Sequence, residues 1–325
     1  MAGDIDRRGR KNYLNYVGAG ETAQPSVHWE QDALLCHNAP PPLMRIHHLN
    51  CGTDCPVGGA LFDGRSKGPL GELVCHCLLI ETDGHGLVLV DTGYGLKDVA
   101  HPHEPPARIT RFMRSLLNIR LHESDTAIRQ IEALGFSASD VRHIVLTHLD
   151  FDHAGGLEDF PEAKVHLLAA EFDAATGPRA SLVARNRYRP AQFDGITQWR
   201  RYGAIGEPWF GFDAVRELEG LPPEILLVPL PGHTWGHAGV AIKTSDHWLL
   251  HAGDAYFYRG EMREAKRRCT PGLRAYQVMM EVSREQRLAN QAKLRALSID
   301  KADELKVLCA HDPVEFERWR AGAPL

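Results

Sequence analysis

The most informative stretch of this chain is Thr147-His148-Leu149-Asp150-Phe151-Asp152-His153-Ala154-Gly155-Gly156, which directly follows an apolar, strand-like run. Two histidines and two aspartates lie within its first seven residues. Imidazole nitrogens and carboxylate oxygens are common ligands of transition metals, and few structural roles would bring so many of them together. The stretch therefore predicts one half of a metal site.

Three further strand-like runs each end in a candidate ligand. They end in His233 of Pro231-Gly232-His233-Thr234-Trp235-Gly236-His237, in Asp254 after Gly253, and in His311 after the run 305–310. Each is weak alone, because a histidine after a Pro-Gly turn or an aspartate after glycine is more often a cap or a turn former. Together they indicate a single site, since ligands in α/β proteins gather at the ends of strands.

Length, charge and cysteine usage exclude several classes of protein. The 325 residues are 43% hydrophobic and carry a net charge of -5, which predicts a soluble globular protein without nucleic-acid or anionic-membrane partners. We find no apolar window long enough for a membrane helix and no secretion signal, so the expected location is cytoplasmic. The 7 cysteines are irregularly spaced and indicate reduced, mostly buried thiols.

The chain is expected to divide into an arm and one domain. Residues 1–42 are polar and end in three prolines, which predicts an N-terminal arm, and residues 43–325 are expected to form a single domain. Residues 177–223 contain several prolines and many aromatic side chains and have few strand signals, so we predict an insertion there. Its aromatics would wall a substrate cleft, anchor the insertion, or form the contact of a possible homodimer.

Hydrophobic periodicity predicts a layered α/β fold. Short β-branched and leucine-rich runs predict strands at Met44–Leu49, Leu73–Glu81, Gly86–Asp91, His143–Thr147, Lys164–Leu168, Glu224–Pro229, Gly239–Thr244, His247–His251 and Leu305–Ala310. Helical spacing predicts helices at Ile109–Leu117, Thr126–Leu134, Ala169–Ala175 and Tyr276–Leu297. Strands in two groups separated by helices favour two packed sheets under outer helices.

The order of these motifs, with Leu89-Val90-Asp91-Thr92-Gly93 before them, resembles the metallo-β-lactamase superfamily from about residue 44 to residue 312. The resemblance implies an αββα sandwich of two packed mixed β-sheets with outer helices and a metal centre at one edge. It also implies two divalent ions. The ligands carried over are His148, Asp150, His233 and Asp254 for the first ion, and Asp152, His153, His311 and the bridging Asp254 for the second. Asp91 would be a buried carboxylate that braces the ligand loop.

Position 150 departs from the family, which usually has histidine there. A carboxylate lowers the formal charge of a two-metal centre by one unit, which would weaken the metals as Lewis acids and favour Mn or Fe more than an all-histidine site does. Zinc remains the expected metal. On this reasoning Asp150→His raises zinc retention. The alternative is that Asp150 does not bind metal and only caps a helix that starts near Asp152.

The implied chemistry is hydrolysis of a small-molecule substrate by a metal-bridging hydroxide. The chain also resembles the acyl-homoserine lactonases, which favours a small lactone or ester. Asp152 would orient the nucleophile or shuttle its proton, and Tyr256 is the candidate donor to the oxyanion, with Tyr258 as a competitor. The lactonases carry their tyrosine where this chain has Phe257.

Two other functions stay open. The ligands His148, His233 and Asp254 alone would make a two-histidine, one-carboxylate iron site, as in a mononuclear iron oxygenase resembling the persulfide dioxygenases. A non-catalytic ligand-binding member of the superfamily is the third alternative.

Overall fold

The computed structural model describes residues 44–102, 107–179, 181–203, 205–264 and 266–322. These residues belong to one compact unit. The predicted N-terminal arm, residues 1–42, lies outside the described residues.

The first sheet is mixed and has seven strands in the order β4-β1-β2-β3-β5-β6-β7. The strands are β1 Arg45–Asp54, β2 Leu73–Thr82, β3 Gly86–Val90, β4 Ile119–Arg120, β5 Val141–Val145, β6 Lys164–Leu168 and β7 Trp199–Tyr202. The pairs β4–β1, β1–β2 and β2–β3 are antiparallel. The pairs β3–β5, β5–β6 and β6–β7 are parallel. Helical crossovers between parallel strands place helices on the outer face of this sheet.

The second sheet is mixed as well and has six strands in the order β13-β12-β11-β10-β9-β8. The strands are β8 Glu207–Trp209, β9 Phe212–Glu217, β10 Ile225–Pro229, β11 Ala238–Lys243, β12 Trp248–His251 and β13 Leu305–Leu308. Strands β12 and β13 pair in parallel, and the other strand pairs described in this sheet are antiparallel.

The helices of the described residues surround the two sheets. They are α1 Ala60–Asp63, α2 Leu96–Ala100, α3 Arg111–Leu117, α4 Ala127–Ala133, α5 Ala169–Thr176, α6 Leu182–Arg187, α7 Pro271–Met280, α8 Arg284–Asp300 and α9 Pro313–Arg320.

The core between the sheets follows from strand alternation. Leu78 and Ile80 project from one face of β2 and are fully buried in the same apolar cluster as Leu227 and Val240 of the second sheet. Each such side chain contributes about 2 kcal/mol when buried. Separate clusters cover the outer faces of the sheets, so the fold is the expected αββα sandwich.

The predicted helix Tyr276–Leu297 is two helices, because the chain is extended at Glu281 between α7 and α8. Ser283 caps α8, and its side chain accepts a hydrogen bond from the Gln286 backbone N–H. A serine followed three residues later by glutamine is a signal for a helix start, so the sequence contains a signal for the break between α7 and α8.

Residues 177–223, expected to be an insertion outside the core, contribute strands to both sheets. Strand β7 extends the first sheet, and β8 and β9 extend the second. Tyr188 and Phe193 are buried in the core of the first sheet, and Phe212 is buried with the second. Strand β8 is a short edge strand that contains Pro208, which gives a weak sequence signal, and β7 has only four residues.

None of the described helices combines the length and the apolar character needed to cross a membrane.

Candidate metal centre

Four strand ends bring the predicted ligands to one edge of the sandwich. The loop that carries His148 to His153 follows β5, His233 follows β10, Asp254 follows β12 and His311 follows β13. All of the predicted metal ligands are buried, with at most 6% of their surface exposed. So many buried charged and imidazole groups are stable only with strong compensating partners.

The first cluster contains His148, His233 and Asp254, whose ligand atoms lie within 4.8 Å of one another. Asp150 joins it, because its Oδ2 lies 3.1 Å from Nε2 of His233 and 3.5 Å from Nε2 of His148. The Asp150 side chain thus faces the cluster and does not cap a helix. This geometry supports the prediction that Asp150 is a ligand.

The second cluster contains His153, Asp254 and His311, again within 4.8 Å. Asp152 lies at its edge, with Oδ2 3.7 Å from Nε2 of His311. Asp152 and His311 also form a group with the thiol of Cys75 on β2.

Asp254 belongs to both clusters and divides its two oxygens between them. Oδ2 lies 3.3 Å from Nε2 of His233, and Oδ1 lies 3.0 Å from Nε2 of His311 and 3.3 Å from that of His153. A carboxylate with one oxygen on each side is the arrangement that a bridging ligand requires.

In the second cluster, hydrogen bonds to Nδ1 set the tautomers of His153 and His311. Nδ1 of His153 donates to Asp91 Oδ2 at 2.8 Å, and Nδ1 of His311 donates to the Val74 carbonyl at 2.8 Å. In the neutral rings, Nε2 then carries a lone pair, yet the two Nε2 atoms lie 3.4 Å apart and both face Asp254. Acceptors that face one another repel unless a cation lies between them, so this donor set fits a metal ion.

Asp91 is the brace that the sequence predicted. It accepts hydrogen bonds from the backbone N–H and the hydroxyl of Thr147, each at 2.7 Å. The Thr147 oxygen in turn accepts from Nδ1 of His148 at 2.9 Å, so Nε2 of His148 is left for a metal; it has no hydrogen-bond partner among the described residues. One carboxylate therefore orients two ligands.

The two clusters differ in their pKa shifts: burial, and then the Arg187 cation, lower the pKa of His233 in the first cluster to about 4, whereas the second cluster favours the protonated form of His311. Although burial alone would lower it, Asp254 raises the pKa of His311 to about 9. A metal ion that binds here must displace such protons, so metal affinity will increase with pH.

Glu171 on α5 joins the two ligand loops. Its carboxylate accepts from the Leu149 N–H at 2.9 Å, from the Thr234 hydroxyl at 2.5 Å and from the Gly236 N–H at 3.2 Å. Gly236 must be glycine, since an added Cβ would lie 2.0 Å from the Glu171 backbone nitrogen. His237 braces the backbone: Nδ1 donates to the Leu230 carbonyl and Nε2 accepts from the Asp254 N–H.

Tyr256, the predicted oxyanion donor, does not join the clusters. Its side chain is fully buried and its hydroxyl donates to Glu315, at 3.0 and 3.2 Å from the two oxygens. The short turn Gly253–Ala255 directs Phe257 to the site instead, where its ring stacks on His311 with centroids 5.1 Å apart. The competitor Tyr258 packs against the Arg259 guanidinium, 4.6 Å from its ring centroid.

Sequence reasoning missed Tyr276 on α7. Its ring packs on Phe257, with centroids 5.7 Å apart, and its hydroxyl makes no hydrogen bond to any residue that the structure describes. Burial, and then the carboxylates of Asp152 and Asp150, raise the pKa of this hydroxyl. Because Phe257 in turn stacks on His311, Tyr276 lies beside the second cluster. A single tyrosine at a helical position gave no local signal of this role.

Sequence reasoning also missed Arg187, the last residue of α6. Its guanidinium is buried, and Nε lies 3.3 Å from Oδ1 of Asp150. The charge that Asp150 adds to the centre is therefore matched by a cation.

A family model described as Metallo-beta-lactamase superfamily matches residues 70–301. The chain belongs to this superfamily. A probable metallo-hydrolase of Mycobacterium tuberculosis is 43% identical over 279 residues, which is 86% of this chain and 84% of that protein. An N-acyl homoserine lactonase of Bacillus cereus is 25% identical over 201 residues, which is 60% of this chain and 71% of that one.

Solved structures of this superfamily share the fold. An N-acyl homoserine lactone hydrolase with the product N-hexanoyl-L-homoserine at its catalytic metal center matches with a TM-score of 0.59 and 19% identity, over 84% of this chain and 94% of that one. A dizinc quorum-quenching lactonase matches with a TM-score of 0.54 and 15% identity, over 85% and 89%.

Proposed function

We propose that this protein is a metal-dependent hydrolase with a two-metal centre that opens small lactones or esters carrying an apolar acyl group. The observation that carries the proposal is the position of Asp254, with one oxygen towards His233 and the other towards His153 and His311. The relatives named metallo-hydrolase and N-acyl homoserine lactonase support it. Zinc is the proposed metal, because imidazole suits it well, with Mn and Fe as alternatives.

The proposed chemistry divides between metal and protein. Two divalent ions held by the clusters would polarise the substrate carbonyl and supply hydroxide at neutral pH. The free hydroxyl of Tyr276 would donate a hydrogen bond to the carbonyl oxygen as it gains negative charge. Asp152, at the edge of the second cluster, would orient the attacking water by accepting its hydrogen bond.

The second cluster argues against the iron oxygenase alternative. That chemistry needs only the first cluster, and it leaves no role for His153 and His311, which lie 3.0 to 3.3 Å from Asp254. A purified protein with one iron per chain that consumes oxygen would contradict the hydrolase.

An apolar pocket between α3, α6 and α7 supports an acylated substrate. Its volume is about 400 Å³, within the range of small-molecule sites, and its apolar lining consists of Phe112, Met113, Leu182, Val183, Met279 and Met280. Met113 and Met280 also pack in one cluster with Phe151 of the ligand motif. Met113 and Met280 therefore connect the lining of the pocket to the ligand motif, and the pocket is the proposed site for the acyl chain of the substrate.

The test is a panel of acyl-homoserine lactones and simple esters of increasing chain length, assayed by proton release with two equivalents of zinc. We expect kcat/KM to increase with chain length and to vanish after chelation. Leu182→Ser in the pocket should reduce the preference for long chains by about 5-fold, because it removes one apolar contact. Ile299→Ser is the matched control, since Ile299 is also exposed but does not line the pocket. Protein that holds two zinc ions and hydrolyses none of these substrates would contradict the proposal.

A further inference from the structure

We infer that Arg187 is a positioning residue of the first cluster, which holds one oxygen of Asp150, balances its charge and leaves the other oxygen for the metal. The inference rests on metal binding as proposed above. It explains how this chain uses a carboxylate where the superfamily usually has a neutral histidine.

The two oxygens of Asp150 have different partners. Oδ1 lies 3.3 Å from Nε of Arg187, whereas Oδ2 lies 3.1 Å from Nε2 of His233 and 3.5 Å from Nε2 of His148. One oxygen of the carboxylate thus faces the Arg187 guanidinium, and the other faces the histidines of the first cluster. A ligand whose second oxygen is held in this way has a defined orientation before any metal binds.

Arg187 is itself held from three sides. Nη1 donates to the His233 carbonyl at 2.7 Å, and Nη2 donates to the Met280 carbonyl at 2.6 Å. The backbone of the next residue, Tyr188, forms a β-bridge with that of Asp150. The end of α6 is therefore attached directly to the ligand loop, and the guanidinium has little freedom to move.

The buried charge of Arg187 needs the negative charge of Asp150 as its partner. The side chain is 1% exposed, and burying an unpaired guanidinium is very costly. Within the part of the chain that the structure describes, Asp150 is the carboxylate in ion-pair contact with it. Since arginine cannot lose its proton in a protein, the pair adds no net charge to the centre. The first cluster then has the same formal charge as one with histidine at this position.

The pair reverses the expectation drawn from the sequence for Asp150→His. That single change would leave the Arg187 cation unpaired beside a metal, so zinc binding should weaken. Removing both charges together should restore it.

A double-mutant cycle on the full chain tests this inference. The variants are Arg187→Met, Asp150→His and the two combined, with Arg189→Met as the matched control, because Arg189 donates to the Ala107 carbonyl and not to the site. The readouts are zinc per chain and the affinity of each zinc in competition with a chromophoric chelator, together with the Tm of metal-free protein. We expect Arg187→Met to weaken one zinc by about 100-fold, and the double variant to return to within about 10-fold of the wild type.

Two outcomes would overturn the inference. One is a double variant that binds zinc as weakly as Arg187→Met, which would make Arg187 only a clamp on the backbone carbonyls. The other is an Arg187→Met protein that keeps both zinc ions with unchanged affinity. If Arg187→Met does not fold, the comparison of Asp150→His with the double variant decides, because the double variant should bind more tightly. These are binding measurements, so a wild type that holds two zinc ions without lactone turnover would remove the proposed substrate and leave the role of Arg187 standing.

Discussion

Replacing Glu171 by glutamine should loosen both ligand loops at once. The carboxylate accepts three hydrogen bonds, from the Leu149 N–H, the Thr234 hydroxyl and the Gly236 N–H. Each bond to a buried charged acceptor contributes roughly 1.5 to 3 kcal/mol. Glutamine keeps one oxygen, but its amide NH₂ group cannot accept a hydrogen bond, so the donors that face it lose their partner. The loss of one to two bonds gives a cost of about 3 kcal/mol.

The assay combines thermal unfolding of metal-free Glu171→Gln with its zinc content. A loss of about 3 kcal/mol corresponds to a fall in Tm of roughly 5 °C for a domain of this size, and zinc retention should drop by about 10-fold. Glu162→Gln is the control, because Glu162 makes an exposed ion pair with Arg142 and such pairs contribute little. A Tm and zinc content of Glu171→Gln equal to those of the control would refute the reasoning that this side chain joins the loops.

Three further predictions follow from single contacts. Burial lowers the pKa of His166 from 6.5 to about 3, so its contribution to stability is full above pH 6.5 and is lost as the pH falls. About 2 kcal/mol of unfolding free energy should be lost by pH 5. The fall in Tm between pH 8 and pH 5 should therefore be smaller for His166→Gln than for the wild type. Gly236→Ala should lower the Tm by several degrees because its Cβ meets the backbone of Glu171, whereas Gly203→Ala, which meets nothing within 4 Å, should not; equal Tm values would count against the steric argument. Tyr276→Phe should reduce kcat by about 10-fold or more with unchanged zinc content, and an unchanged kcat would remove the hydroxyl from the reaction.

The ligands were predictable from the sequence because each follows a strand within a short motif. Strand alternation is a strong signal, and once the strands are ordered in their sheets, the residues that follow them meet at one edge. These residues are His148 to His153, His233, Asp254 and His311. The predicted strands that carry them are all present in the structure. The αββα sandwich and the bracing role of Asp91 were predicted from the resemblance to the metallo-β-lactamase superfamily.

The missed residues depend on contacts that no local pattern encodes. Arg187 lies in a basic stretch that would ordinarily face solvent, and its partner Asp150 is 37 positions away. Tyr276 lies next to the site because its ring packs on Phe257, which is 19 positions away in the sequence. The roles of Tyr256 and Phe257 depend on the turn before them, since a shift of one residue exchanges the buried and the site-facing ring.

The junction between α7 and α8 offers a readout of the metal centre that needs neither substrate nor spectroscopic label. The backbone N–H groups of Val282 and Ser283 both donate to the carbonyl of Gly232, at 2.9 and 3.1 Å, and Gly232 directly precedes His233. Opening of the His233 loop must break these bonds, so the hydrogen-exchange rates of two amides some fifty residues further along the chain report whether that loop is closed. Mass-spectrometric exchange on a peptide spanning this junction, with and without a chelator, would therefore report whether removal of metal opens the His233 loop.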